Sequence, residues 1–189
     1  MKKVPTLFER DWNGDRSRVT PQVHASCEWV IAGEGKATRK MDGTSCLIRD
    51  GKLYRRRELK KGEPQPPLFE LADHDEETGK TVGWMPVEPS SPSDKYHAEA
   101  FGDGAGLEDG TYELVGPKVQ GNLEKYDMHT LVPHDWFGLI FDGDVPRTFD
   151  GLKDWLNGRD IEGLVFHHDD GRMAKIKLRD FGLKRGVRS

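Results

Sequence analysis

The sequence predicts an α+β fold whose sheets are largely antiparallel, and three observations support this. Most segments between turn signals are short, with apolar and polar residues in the alternation of strands. Two dipeptides, Asp50-Gly51 and Asp170-Gly171, each separate a pair of such segments and predict tight hairpins. Helical patterns are few, so we expect helices to flank the sheets rather than to alternate with strands.

The elements follow one another in a simple order. The predicted strands are Glu28–Ala32, Gly43–Arg49, Lys52–Arg57, Thr111–Val115, Phe137–Phe141, Gly163–Phe166 and Arg172–Leu178. Ser93 or Asp94 would cap a helix that runs to Phe101, and Asp150 would cap a second helix that ends at Gly158. Segments rich in Pro, Gly and Ser predict loops at 62–67, 86–94 and 102–110.

The two hairpins can be aligned from their turns. A two-residue turn at Asp50-Gly51 would pair Arg49 with Lys52, Leu47 with Tyr54, Cys46 with Arg55 and Ser45 with Arg56. This register predicts that Arg56 lies beside the strand that begins just after Lys40.

A two-residue turn at Asp170-Gly171 would pair Phe166 with Lys175, Leu164 with Lys177 and Glu162 with Arg179. Alternation would then separate a charged face from a core face. The predicted charged face holds Glu162, Lys175, Lys177 and Arg179, and the core face holds Val165, Ile176 and Leu178.

Length and composition set limits on the protein class. The 189 residues, with 34% hydrophobic residues, five Trp and eight Phe, can fill one core, so we expect a single domain over residues 1–189. No apolar run of membrane-spanning length occurs, and the start MKKVPTLFERDW lacks the apolar stretch of a signal peptide, so a cytoplasmic protein without membrane contact is expected. Cys27 and Cys46 have no metal-ligand spacing and predict reduced, buried thiols.

The net charge of −4 conceals strong segregation of charge along the chain. Residues 52–61 carry six basic side chains and one Glu, and residues 172–189 carry seven basic side chains and one Asp. Such segments can attract a polyanion even in an acidic protein, although solvated edge strands would look the same.

The segment Lys40-Met41-Asp42-Gly43 is the first candidate for chemistry. Lys-x-Asp-Gly occurs by chance in roughly one chain of this length in twenty, so alone it favours a solvated lysine where a strand meets a turn. It is followed, in order, by further distinctive segments. These are the Arg-rich strand of residues 52–61, TYELVGP (111–117), WFGLIF (136–141), IEGLVF (161–166) and MAKIKL (173–178).

Together these motifs resemble the covalent nucleotidyltransferases, the superfamily of polynucleotide ligases and mRNA capping enzymes, over residues 38–181. FERDW and KMDGTSC are most similar to the 5′-3′ RNA ligases found in animals and in some bacteria and viruses. Ser45 stands where many DNA ligases and capping enzymes have Arg. The resemblance implies a nucleotidyltransferase (ligase adenylation domain) fold, with two largely antiparallel sheets and flanking helices around an ATP pocket, and no OB-fold after the Lys-x-Lys strand.

The resemblance also implies roles for individual residues. Lys40 would be the nucleophile that accepts AMP from ATP, with Lys175, Lys177 and Glu162 as further catalytic residues. The implied nucleotide contacts are Thr38, Asp42, Gly43, Glu113 on the ribose, Phe137 or Trp136 on adenine, Lys175 and Lys177, with Arg56 or Arg57 on a 5′-phosphate. Asp42 and Glu162 would hold Mg²⁺ or Mn²⁺ through water, which suits an ion that keeps several waters.

The implied activity joins RNA 5′-phosphate and 3′-hydroxyl ends. Two alternatives stay open: a capping-type guanylyltransferase that uses GTP, and a domain that binds RNA ends or nucleotides without catalysis. The histidines, including His167-His168 near the second turn, lack metal spacing and predict turn or surface positions.

Overall fold

A computed structural model describes residues 4–76, 79–134, 136, 139–141 and 144–188. The chain forms two compact units. The Lys40 unit comprises residues 4–41 and 136–189, and the six-stranded unit comprises residues 42–135.

The predicted α+β class is confirmed. Among the described residues the strands are β1 Phe8–Arg10, β2 Val19–Val23, β3 Lys36–Lys40, β4 Thr44–Arg49, β5 Lys52–Leu59, β6 Glu70–Asp75, β7 Lys80–Pro86, β8 Gly110–Val115, β9 Thr130–Pro133, β10 Gly163–His167 and β11 Met173–Lys177. The α-helices are α1 Glu28–Ile31, α2 Lys95–Phe101 and α3 Phe149–Leu156. All of the strand pairs within these sheets are antiparallel.

The strands form three sheets. The Lys40 unit contains a two-stranded ribbon, β1-β2, and a three-stranded sheet in the order β11-β10-β3. The six-stranded unit contains one sheet in the order β6-β7-β5-β4-β8-β9. Six of these strands were not predicted: β1, β2, β3, β6, β7 and β9. The ribbon and the edge strand β6 have short or polar sequences that lack a clear apolar alternation.

The first hairpin has the predicted register from its turn to Cys46 and Arg55, and the predicted pair of Ser45 with Arg56 is not among its paired residues. Asp50 and Gly51 have φ angles of 53° and 66°, the positive values that a type I′ turn requires at both central residues. Arg49 pairs with Lys52, Leu47 with Tyr54 and Cys46 with Arg55. The turn chemistry therefore determined the pairing of β4 with β5.

The predicted register of the second hairpin is wrong by one residue. Phe166 pairs with Ala174, Leu164 with Ile176 and Gly163 with Lys177. The loop has three residues, 169–171, closed by a hydrogen bond from His168 N to Arg172 O, with Gly171 at φ 89°. A three-residue loop with glycine at the left-handed position is the next most common hairpin connection after the two-residue turn.

This shift changes the predicted faces. Val165 pairs with Lys175, so these two side chains share a face, contrary to prediction. Arg179 lies in the 3₁₀ turn Leu178–Phe181 and not on a strand. The core face is formed by Leu164, Phe166, Ala174 and Ile176, which are fully buried.

The helices differ from prediction in their details. Residues 28–31 form α1 instead of a strand, and Trp29 Nε1 donates a hydrogen bond to Ser26 O at its start. The cap of α3 is Thr148, whose hydroxyl accepts from Gly151 N, and not Asp150. The predicted start of α2 at Asp94 is correct, although that carboxylate forms an ion pair with Arg55 instead of a cap. No helix in the described ranges is long and apolar enough to cross a membrane.

Each unit has its own core. In the Lys40 unit, α3, β1 and β10 contribute Leu152, Phe8 and Phe166 to one cluster of buried side chains. In the six-stranded unit, Cys46 and Leu114 pack from the sheet with Tyr96 and Phe101 of α2. Cys27 and Cys46 are both buried, as predicted.

Candidate active site

Three predicted site residues meet at one end of the three-stranded sheet. Lys40 Nζ lies 2.6 Å from Glu162 Oε2, and Lys177 Nζ donates a hydrogen bond to Glu162 Oε1. Each of the three side chains is less than one fifth exposed. Lys40 Nζ also donates to Met41 O at 3.2 Å. The carboxylate of Glu162 therefore bridges two ammonium groups, and we call these three residues the lysine–glutamate cluster.

The sheet register explains why these side chains converge. Gly163, the first residue of the central strand β10, pairs with Lys40 on one side and with Lys177 on the other. Residues directly opposite each other in antiparallel strands point to the same face. Both lysines therefore lie on one face beside a residue without a side chain, and Glu162 immediately precedes that residue.

The two lysines of the cluster favour the charged form of Glu162. Burial acts to raise the pKa of Glu162, but the positive charges of Lys40 and Lys177 and their hydrogen bonds hold this pKa below its ordinary value. Glu162 is therefore a carboxylate near neutral pH and a weak proton acceptor. It positions the two lysines and balances one of their charges.

Gly163 allows the close approach of β10 and β11. A Cβ atom at this position would lie 2.1 Å from Ile176 O and 2.8 Å from Lys177 Cα, both atoms of the backbone. A flexible side chain could move aside, but a neighbouring strand can relieve such contacts only by shifting.

We expect Gly163→Ala to lower the free energy of unfolding by about 3 kcal/mol, because the added methyl group overpacks a strand pair. Urea denaturation would measure the change. Gly110→Ala is the control, since its Cβ would meet only Tyr112 Cε2, at 3.8 Å, and we expect a change within about 0.5 kcal/mol. Equal stability of the Gly163→Ala protein and the wild type would contradict this steric account.

Thr38 and Lys175 lie on the same face of the sheet. The Thr38 hydroxyl donates a hydrogen bond to Val165 O at 3.1 Å and is also 3.1 Å from His167 Nε2. His167 is a residue of β10 and not of the turn, contrary to the predicted turn or surface position. Lys175 pairs with Val165 across β10 and β11.

Glu113 lies in the six-stranded unit and holds the backbone after the Lys40 motif. Its Oε1 accepts a hydrogen bond from Gly43 N at 3.2 Å, and its Oε2 lies 2.9 Å from His134 Nε2. A Cβ atom on Gly43 would lie 2.2 Å from Leu114 O, so only glycine permits this approach. The side chain of Glu113 is buried.

Asp42 is held in a similar way. Glu124 Oε1 accepts a hydrogen bond from Asp42 N at 3.1 Å. Two carboxylates thus bind the consecutive amides of Asp42 and Gly43. Neither Glu124 nor His134 was predicted, because each is far from its partner in sequence and belongs to no recognisable motif.

The arginines of β5 have different environments. Arg57 Nη2 donates to Glu63 Oε1 at 2.9 Å, and Arg55 forms an ion pair with the buried carboxylate of Asp94 at 2.6 Å. Arg56 has no ion pair with any residue that the structure describes. Since Cys46 pairs with Arg55, Arg56 and Ser45 share the opposite face of the sheet, where Ser45 pairs with Glu113. Of the two predicted phosphate contacts, Arg57 thus has an ion-pair partner, Glu63, and Arg56 has none among the described residues.

The predicted adenine contacts are Phe137 and, as the alternative, Trp136. Phe137 lies outside the described residues, and Trp136 is half exposed in the Lys40 unit. Nearby, Ile140 forms an isolated antiparallel bridge with Thr38.

Comparison with known proteins finds similarity to vertebrate RNA ligases. The zebrafish (Danio rerio) protein named RNA ligase 1 is 29% identical, over 58% of this chain and 43% of its own length. RNA ligase 1 of Rattus norvegicus is 28% identical, over 67% of this chain and 45% of its own length. The chain is a distant homologue of vertebrate RNA ligase 1.

The similarity to RNA ligase 1 has a limited extent. RNA ligase 1 of Mus musculus is 26% identical, and again only 45% of its length is covered. The chain thus spans less than half the length of these relatives. No family model matches the chain.

Proposed function

We propose that this protein is an ATP-dependent RNA ligase that joins RNA 5′-phosphate and 3′-hydroxyl ends through a covalent lysyl-AMP intermediate. The lysine–glutamate cluster carries the proposal, because it gathers a nucleophile, a second cation and a carboxylate in a homologue of RNA ligase 1. We further propose that residues 1–189 have the nucleotidyltransferase fold and form the adenylation domain of this ligase.

In the first step, the lone pair of neutral Lys40 Nζ attacks the α-phosphorus of ATP. A nitrogen–phosphorus bond forms, the bond from the α-phosphorus to the bridging oxygen breaks, and pyrophosphate leaves, while the nitrogen gives up one proton to solvent. Positive charges beside the phosphates stabilise the negative charge that develops in such a transition state. Lys177 and Lys175 are the cations assigned to this task.

The next two steps return Lys40 to its free state. An oxygen of the RNA 5′-phosphate attacks the phosphorus of lysyl-AMP, the nitrogen–phosphorus bond breaks and RNA-adenylate forms. The RNA 3′-hydroxyl then loses its proton and attacks the 5′-phosphate, and AMP leaves as the phosphodiester bond forms. Arg56 is assigned to the 5′-phosphate because it lacks an ion pair with the described residues.

The first step requires that Lys40 lose a proton. A lysine side chain with an ordinary pKa of about 10.4 is almost entirely an ammonium group near pH 7 and cannot attack. Glu162 Oε2 lies 2.6 Å from Lys40 Nζ. Its lowered pKa makes it a poor base.

The carboxylates fit a divalent cation that is held chiefly by phosphates and water. The described residues contain no group of three or more His, Cys, Asp or Glu side chains able to hold a metal, so the chain would supply few ligands. Mg²⁺ tolerates this, because it keeps several waters and binds substrate phosphates. Asp42 and Glu162 are assigned to Mg²⁺ or Mn²⁺, which would neutralise phosphate charge, and Glu113, Thr38 and Gly43 to the nucleotide.

Incubation with α-³²P-labelled ATP and Mg²⁺ tests the proposal directly. We expect label to stay on the wild-type protein in a denaturing gel, because the bond to Lys40 is covalent. The bond should break in acid and survive alkali, as phosphoramides do. Labelled GTP in a parallel reaction tests the guanylyltransferase alternative. A protein that is labelled by GTP and not by ATP would contradict our choice of nucleotide.

A second reaction tests the RNA substrate. The labelled protein is freed of ATP and mixed with RNA that carries a 5′-phosphate and a 3′-hydroxyl. We expect label to pass to RNA and leave as AMP when the ends join. RNA with a 5′-hydroxyl is the control and should accept no label. Wild-type protein that never acquires label would instead favour a binding domain without catalysis.

A further inference from the structure

An ion pair joins β1 to the 3₁₀ turn Leu178–Phe181. Arg10, the last residue of β1, lies with Nη1 2.8 Å from Asp180 Oδ1. The side chain of Asp180 is 1% exposed and that of Arg10 is 27% exposed. Oδ1 takes no aligned hydrogen bond among the described residues, so the attraction there is between charges. A buried carboxylate requires such a partner, because an uncompensated buried charge is strongly destabilising.

The second oxygen of Asp180 connects this ion pair to the active site. Asp180 Oδ2 accepts a hydrogen bond from the backbone amide of Lys177 at 2.9 Å. The next amide, of Leu178, donates to Glu162 O at 3.0 Å. Asp180 therefore fixes the backbone of Lys177 at the point where β11 ends and the 3₁₀ turn Leu178–Phe181 begins.

Aromatic packing holds the same two segments together. Phe8 of β1 and Phe181, which follows Asp180, have ring centroids 6.3 Å apart, and Phe149 packs edge-on against both at 5.1 Å. Phe8 and Arg10 both belong to FERDW, a motif that the proposed chemistry leaves unexplained. The position of β1 is therefore coupled to the 3₁₀ turn by an ion pair and by buried rings.

We propose that Arg10 and Asp180 are positioning residues that hold Lys177 where its ammonium group meets Glu162 and the phosphates of ATP. The inference rests on the proposed function. Asp180 acts through the backbone of Lys177, and Arg10 acts by pairing with the buried carboxylate of Asp180. FERDW then contributes to nucleotide transfer without contacting the nucleotide.

Lysine adenylation by the Arg10→Ala protein tests this proposal. We expect the KM for ATP to rise about tenfold or more, since small misplacements of a phosphate-binding group are costly. In a Lys177→Ala background, Arg10→Ala should cause no further change in KM, because its effect passes through Lys177. Independent, multiplying effects on KM in the double variant would overturn the proposal.

Asp180→Asn keeps the proposal testable if Arg10→Ala alone fails to fold. An asparagine oxygen can still accept a hydrogen bond from the Lys177 amide, but it needs no positive partner. In the Asp180→Asn protein the loss of Arg10 should therefore matter little. We expect the KM of Arg10→Ala/Asp180→Asn to lie within about threefold of the KM of Asp180→Asn. The control is Arg172→Ala in the same unit, whose ion pair with Asp170 is half exposed and which should leave KM unchanged. A double variant with a tenfold higher KM than Asp180→Asn would contradict the role of Arg10.

Hydrogen exchange separates this inference from the proposed function. We expect the Lys177 amide to exchange slowly in the wild type and at least tenfold faster in the Arg10→Ala protein, whether or not adenylation occurs. Unchanged exchange at Lys177 would overturn the positioning role even in an active ligase. Absence of label on the wild type, with the expected exchange, would refute only the ligase proposal.

Discussion

Replacing Lys40 with arginine is expected to abolish labelling of the protein by α-³²P-ATP, with a loss of more than about 10³-fold in the rate of adenylation. A guanidinium group retains its proton at any accessible pH and has no lone pair for attack on phosphorus. It keeps the positive charge that Glu162 binds at 2.6 Å in the wild type, so we expect the fold to survive. The Lys40→Arg variant therefore separates nucleophilic chemistry from charge.

The matched control is Lys36→Arg. Lys36 lies on the same strand, β3, and on the same face as Lys40, where it pairs with His167. It is exposed and lies outside the lysine–glutamate cluster, so this variant should be labelled as fast as the wild type. Labelling of Lys40→Arg at the wild-type rate would show that another group carries AMP.

The two hairpins show how far turn chemistry predicts a sheet. Both contain Asp-Gly, yet only Asp50-Gly51 forms the two-residue turn. In the second hairpin the apolar residues of 163–166 are consecutive, so alternation along the sequence does not identify the core face. Packing selected the three-residue loop, because it buries Leu164 and Phe166 together with Ile176.

Residues 28–31 illustrate a structure that sequence could not give. EWVI reads as a strand by propensity, but in the fold it is a single helical turn. Arg147, more than a hundred residues away, donates a hydrogen bond to Val30 O at 3.1 Å and to Gly35 O at 2.7 Å. Tertiary contacts thus override a weak local preference.

The candidate site also contains residues that the sequence predicted and residues that it did not. Lys40, Glu162 and Lys177 were found because each lies in a short motif whose order along the chain is distinctive. Glu124 accepts a hydrogen bond from the amide of Asp42, and Asp180 accepts one from the amide of Lys177. No local sequence pattern indicates either contact. The residues of the lysine–glutamate cluster were therefore predictable, whereas the residues that bind the backbone amides of Asp42 and Lys177 required the structure.

Glu162→Ala is expected to lower the rate of adenylation about 10²- to 10³-fold, the cost of removing a charged group aimed at a reacting centre. Without the carboxylate, the ammonium groups of Lys40 and Lys177 would repel each other and lose their shared acceptor. We expect the variant to remain folded but to lose about 3 kcal/mol of its free energy of unfolding. Single-turnover labelling and urea denaturation would measure the two effects. Near-normal labelling would show that the assignment of Glu162 is wrong.

The control for stability is Glu58→Ala, which breaks the half-exposed ion pair with Lys80 and should cost less than about 1 kcal/mol.

Acid denaturation tests whether the charge of Glu162 causes the loss of stability. Because the pKa of Glu162 is lowered on folding, its stabilising contribution is complete above its ordinary value of 4.5 and is lost as the pH falls through the lower value of the folded protein. Glu162→Gln cannot titrate, so its stability relative to the wild type should improve steadily below pH 4.5. A constant difference across that range would mean that the carboxylate contributes packing and not charge.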